Sequence, residues 1–145
     1  MIKDEIERLQ ENLAVIRKAG GWSCEKFGEF LGLSKQSICN LERKTVRMSK
    51  AQYIAIRAIL DYEMKENDLD DVLRITVKTF MESRDIPEET MMKAKTFYNG
   101  LSKNEMNYRY IVLGMCTIIG EETYERLLHK PEEQWMDRIM RGEKK

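Results

Sequence analysis

Ile2, Ile6, Leu9, Leu13 and Ile16 recur at spacings of four, three, four and three, which is one stripe of an amphipathic helix. Gly20-Gly21 predicts its end. Ser23 is placed to cap a short second helix through Phe27, Phe30 and Leu31, which Gly32 ends after about two turns. Ser34 caps a third, with Ile38 and Leu41 facing inward. After a loop from Lys44 to Met48, Ser49-x-x-Gln52 forms a capping box that opens a fourth helix through Ile54, Ala55, Ala58 and Ile59.

The pattern continues in the second half. Asn67 or Asp68 starts a helix with Leu69, Val72, Leu73, Val77, Phe80 and Met81, and Pro87 suits the first turn of another, with Met91, Ala94, Tyr98 and Leu101. Ser102-x-x-Glu105 is a second capping box. The helix after it, near Met106 to Ile119, is apolar on most sides and is expected at the centre of a bundle. Tyr124, Leu127 and Leu128 mark a short segment. Pro131 precedes a last helix with Trp135, Met136, Ile139 and Met140, expected to pack on another helix, a dimer axis being one place for it. No alternating run argues for a strand, so the predicted fold class is all-α. The charged run EMKEND, from Glu63, interrupts the pattern and predicts two units, 1–64 and 65–145.

Composition sharpens this picture. The 145 residues include only 8 Gly and 2 Pro, against a turn-rich β fold. Lys+Arg and Asp+Glu are 25 each, and 42% of residues are hydrophobic, as in a globular chain. The longest mostly apolar stretch, Tyr110 to Ile119, is far short of the roughly 20 residues of a membrane span. The start MIKDEIERLQ is charged and has no signal-peptide core. Three widely spaced cysteines, Cys24, Cys39 and Cys116, are no disulfide framework, and a reducing cytoplasm is the expected compartment. The zero net charge hides an asymmetry. Residues 1–62 hold 11 Lys/Arg against 8 Asp/Glu (+3), and 63–145 hold 14 against 17 (−3). Lys35, Arg43, Lys44, Arg47 and Lys50 cluster against only Glu42, a candidate anion-binding face.

The second and third helices carry the candidate chemistry. Gly32 allows a reversal that a Cβ would penalise, and Gly28 allows close approach of the pair. Lys35, Gln36 and Asn40 then share one outward face of the third helix. Gln and Asn amides pair bidentately with adenine, and Lys reaches guanine acceptors or phosphate. Exposed polar residues without a partner are the plain alternative.

Over residues 5–62 the chain resembles the lambda-repressor/Cro-like (XRE-type) helix-turn-helix family. Arg17, Phe27, Gly28, Gly32, Ser34, Ser37, Ile38, Leu41 and Glu42 carry the resemblance. It implies a compact bundle of about five helices that binds operator DNA, usually as a dimer. By position it puts Lys35, Gln36 and Asn40 at the bases, and Ser23, Ser37, Arg43, Lys44 and Arg47 near phosphates. Arg17 and Glu42 are implied as a structural ion pair. Three positions depart from the family: Cys24 replaces a Gln that contacts phosphate, Gly28 replaces a more usual Ala at little expected cost, and Lys44 replaces a usual Gly at some cost to the turn.

No catalytic constellation, phosphate-cradling Gly loop or metal-ligand spacing is present, so neither an enzyme nor a cofactor is expected. Cys39, beside Asn40, reads as a small side chain, with a redox-sensing thiol as the alternative, and Cys116 is expected in the core. Eight of the ten Met lie beyond residue 62, which suits either a helical core or an adaptable docking surface. The expected function is a sequence-specific transcriptional regulator, a repressor, acting as a homodimer on double-stranded DNA. The alternatives are an antitoxin-type autorepressor whose C-terminal helices hold a protein partner, and a pure protein-interaction module.

Overall fold

A computed structural model describes residues 2–66 and 71–141. The chain is all-helical, with no strand among the described residues. The order is α1 (Ile2–Glu11), α2 (Leu13–Ala19), α3 (Cys24–Leu31), α4 (Lys35–Glu42), α5 (Lys50–Glu66), α6 (Asp71–Val77) running into a π turn (Lys78–Glu82), α7 (Glu88–Asn99), a 3₁₀ turn (Lys103–Glu105), α8 (Tyr108–Ile119), α9 (Glu121–His129) and α10 (Trp135–Arg141). No described helix is long and apolar enough to cross a membrane.

The first predicted helix is broken in two. Asn12 turns its side-chain amide back onto the Arg8 carbonyl at 2.9 Å, competing with the backbone ladder and ending α1 there. Leu9, Leu13 and Ile16 still point to one side and are fully buried. The Ser49–Gln52 capping box closes from both sides, at 3.0 and 2.9 Å.

The face that α5 buries is not the predicted one. Tyr53, Ile56, Arg57, Leu60 and Met64 are buried, Ala55 and Ala58 are exposed, and Ile54 and Ile59 lie between. The reason is polar. The Tyr53 hydroxyl donates to Glu5 at 3.0 Å, and Arg57 lies 3.8 Å from the buried Glu82 and over the Trp135 ring. These distant partners draw in a face that hydrophobicity alone does not select. The helix also continues through Glu63–Glu66, where the pattern suggested a break. The predicted start at Asn67 or Asp68, and Leu69, lie outside the described residues.

The central helix is α6 with its π turn, where Val72, Leu73, Val77, Phe80 and Met81 are all buried as the periodicity expects. Apolar α8 instead lies at the edge, with only Ile111 and Met115 buried. Total hydrophobicity does not say which helix is innermost, and the middle is already filled by α6. The Ser102–Glu105 box opens only the 3₁₀ turn, and Asn107 caps α8. Cys116 is half-buried, not core. In α10, Trp135 and Ile139 pack inward, Trp135 edge-on to Tyr53 and bonded to Asp61 at 2.7 Å. The last helix thus packs on α5 of its own chain and leaves Met136 and Met140 exposed. Among the predicted inward positions, Phe30 is also partly exposed, lying against Trp22.

One hydrophobic cluster runs through both halves, from Leu9 to Ile139. Polar links cross it. Arg8 donates to the Phe80 and Ser83 carbonyls at 2.6 and 2.7 Å, occupying acceptors at the end of the π turn. Arg138 holds Glu5 bidentately at 2.9 and 2.8 Å. Burial pushes the Glu5 carboxyl up, but Arg138 and Tyr53 more than offset this and hold it below the usual carboxylate range. The predicted units 1–64 and 65–145 differ in charge and share this core.

Candidate nucleic-acid interface

The site is built on α3, α4 and the turn between them. The Ser23 hydroxyl caps α3 by accepting from the Lys26 N–H at 3.0 Å, and Ser34 caps α4 from the Ser37 N–H at 3.0 Å. Gly32 ends α3 at φ 70°, the left-handed conformation that a Cβ disfavours. The Leu33 N–H then reaches back to the Gly28 carbonyl at 2.8 Å. Gly28 has no room for a Cβ, which would stand 2.5 Å from the Leu33 carbonyl oxygen. The expectation that Ala and Gly are nearly interchangeable here does not hold in this turn. Phe27, Ile38 and Leu41 lie beneath, each no more than 1% exposed.

The outer face of α4 carries the predicted base readers. Lys35 and Gln36 are exposed and Asn40 is half-buried one turn on. Gln36 Nε2 donates to Asn40 Oδ1 at 3.0 Å. That bond aligns the two amides and leaves Gln36 Oε1 as an acceptor and Asn40 Nδ2 as a donor. This is the donor–acceptor complement of an adenine edge in the major groove. Ser37 is half-buried, and its hydroxyl accepts from Ser34 at 3.0 Å, leaving its own proton free for another acceptor.

The cations frame this face. Arg43 continues the Gln36–Asn40 row as the residue after α4, and Arg47 follows in the loop. Both are exposed, and neither has a carboxylate partner among the described residues. Lys44 is exposed and 3.6 Å from the equally exposed Glu11, a weak surface pair. Lys44 sits at φ 62°, the left-handed conformation a Gly would adopt. The Thr45 N–H bonds the Asn40 carbonyl and the Lys44 N–H the Leu41 carbonyl, the Schellman pattern of a helix end. Lys50, part of the predicted anion-binding cluster, is exposed, and so is Lys26, which the sequence reading does not single out. Only its bare charge could have marked Lys26.

Glu42 does not oppose these cations. Arg17 Nε donates to Glu42 Oε2 at 2.6 Å, Nη2 to Oε1 at 3.2 Å, and Nη1 to the Trp22 carbonyl at 2.8 Å. Burial lowers the Arg17 pKa, but Glu42 more than offsets it, so the guanidinium stays charged. With Glu42 neutralised from behind, the outward field of α4 is more positive than residue counting suggests. Cys24 opens α3 near this pair, and burial and the Glu42 charge push its thiol up, away from the reactive thiolate.

Ser23 is exposed at the start of α3, not on α4 itself. Leu101, Ser102 and Met106 from the α7–α8 connection come beside it, lining a cleft with Arg17, Lys18 and Trp22. No cluster of three or more His, Cys, Asp or Glu side chains able to hold a metal ion occurs among the described residues. The chain matches no protein-family model, no curated protein and no solved structure.

Proposed function

We propose that this chain is a sequence-specific DNA-binding transcriptional regulator of the repressor type, reading operator half-sites in the major groove as a dimer. The observation that carries the reading is the Gln36–Asn40 amide pair, held on an exposed, N-capped helix and framed by cations. An α-helix fits the major groove, base edges there are read by such amides, and phosphates are held by such cations. The resemblance of residues 5–62 to lambda-repressor/Cro-like proteins supports the same roles: Lys35, Gln36 and Asn40 at bases, with Ser23, Ser37, Arg43, Lys44 and Arg47 at phosphates. The acidic second half faces away from a polyanion on charge grounds, which orients the basic face toward DNA.

Selection of bound fragments from random duplex DNA tests the reading. Wild-type protein should enrich a two-fold-related motif, with affinity falling steeply as salt rises because each neutralised phosphate releases counterion. Gln36→Ala with Asn40→Ala should relax the motif, costing about 1–3 kcal/mol for each base pairing lost. Unchanged affinity and preference in the double variant would sink the base-reading assignment.

A further inference from the structure

The twelve residues of α8 carry one charge, Arg109. Tyr110, Leu113 and Thr117 recur at spacings of three and four and are all exposed, Leu113 to 64% and Tyr110 to 47%. A surface helix normally turns charged residues to solvent and one apolar stripe to the core; α8 has a second apolar stripe on its outer side. Rotation of the helix cannot bury it. Gly114 is pinned under Phe97 of α7, so closely that a Cβ there would stand 2.0 Å from the ring. The inner side is already committed to Ile111 and Met115.

Charge distribution along this face says what covers it. Arg109 is exposed at the N-terminal end, and Glu121 and Glu122 are exposed just past the C-terminal end. None of the three has an ion-pair partner among the described residues. A second α8 lying antiparallel, with the two-fold axis near Met115, sets Leu113 against Thr117 of the second copy and Tyr110 over its Gly120. It also sets Arg109 against the other copy's Glu121, and symmetry makes each contact twice. Parallel packing would instead oppose Arg109 to itself.

We propose that α8 is the self-association face of this chain, two copies packing it antiparallel about a two-fold axis. The inference rests on the regulator reading and deepens its dimer, because two operator half-sites call for a two-fold axis in the protein. The interface itself does not need DNA.

Light scattering and sedimentation of the full chain without DNA test it, from about 1 to 100 μM, a range bracketing ordinary dimer affinities. The expected mass is twice the 17.2 kDa of one chain. Leu113→Glu should give single-chain mass with an unchanged helical spectrum and melting temperature. Arg109→Glu should weaken association by about tenfold or more, and adding Glu121→Arg should restore it. Single-chain mass for the wild type at every concentration overturns the proposal. A dimer that survives Leu113→Glu also overturns it, and failure of the charge swap to rescue overturns the antiparallel register. Salt-sensitive DNA binding on the same preparation is read separately. Its absence with the dimer intact sinks the regulator reading alone, and its presence in a monomeric wild type sinks only this interface.

Discussion

Lys44 shows how one residue can serve two demands with opposite signs. Its φ of 62° is costly for a side chain with a Cβ, typically about 1–2 kcal/mol, and closes the Schellman turn that ends α4. Its ammonium group stands at the exposed edge of the proposed DNA face and makes a weak pair with Glu11. Lys44→Gly should therefore stabilise the fold by about 0.5–1 kcal/mol, seen as a higher melting temperature. The same change should weaken DNA binding for all sequences alike and shallow the salt dependence by about one phosphate contact. A lower melting temperature would show that the turn is not strained. The sequence reading expects some cost to the turn at this position, and the positive φ of Lys44 is where that cost falls.

Among the elements, the turn between α3 and α4 is the most tightly specified. Two serine caps, a left-handed Gly32 and a Gly28 without space for a methyl group set the geometry from which α4 projects. Gly28→Ala should destabilise by about 1–3 kcal/mol, the usual cost of overpacking, since the obstacle is a backbone carbonyl that cannot rotate away. Urea unfolding checks it, and a neutral or stabilising result would show that the turn opens freely. The caps and this pair were readable because each signal lies within five residues of its partner. The buried face of α5 was not. Arg57 is 1% exposed, and what holds it, Glu82 and Trp135, lies 25 and 78 positions further along. Nor was the π turn at Lys78–Glu82, where Arg8, more than 70 positions earlier, takes up the Phe80 carbonyl and that of Ser83 just beyond the turn.

For the molecule as a whole, buried charge ties the halves together. Arg57 and Glu82 are each 1% exposed and 3.8 Å apart, and Arg57 Nε and Glu82 Oε1 have no hydrogen-bond partner among the described residues. Burial pushes the Glu82 carboxyl up, with Arg57 pulling the other way. Such a pair adds little net stability, yet breaking it leaves one charge stranded. Arg57→Met should cost about 3–5 kcal/mol. Adding Glu82→Leu should recover more than 1 kcal/mol, because contacting residues are not additive. A double-mutant cycle by urea unfolding measures the coupling, and strict additivity would show that the two charges do not interact. Lys78, also 1% exposed, reaches Glu132 at 3.2 Å and adds a link to the segment before α10.

Local chemistry in the chain was enough to specify an all-helical protein, most of its helix ends, and the outward placement of Lys35, Gln36 and Asn40. Caps, glycine turns and the 3.6-residue period act over one or two turns of backbone and are written in adjacent residues. Tertiary packing decided which helix became the centre, which side of α5 turned inward, and that α8 kept an apolar stripe on the outside. Those outcomes depend on volume competition and on charge partners up to 133 positions apart, such as Glu5 and Arg138. No window of neighbouring residues contains them.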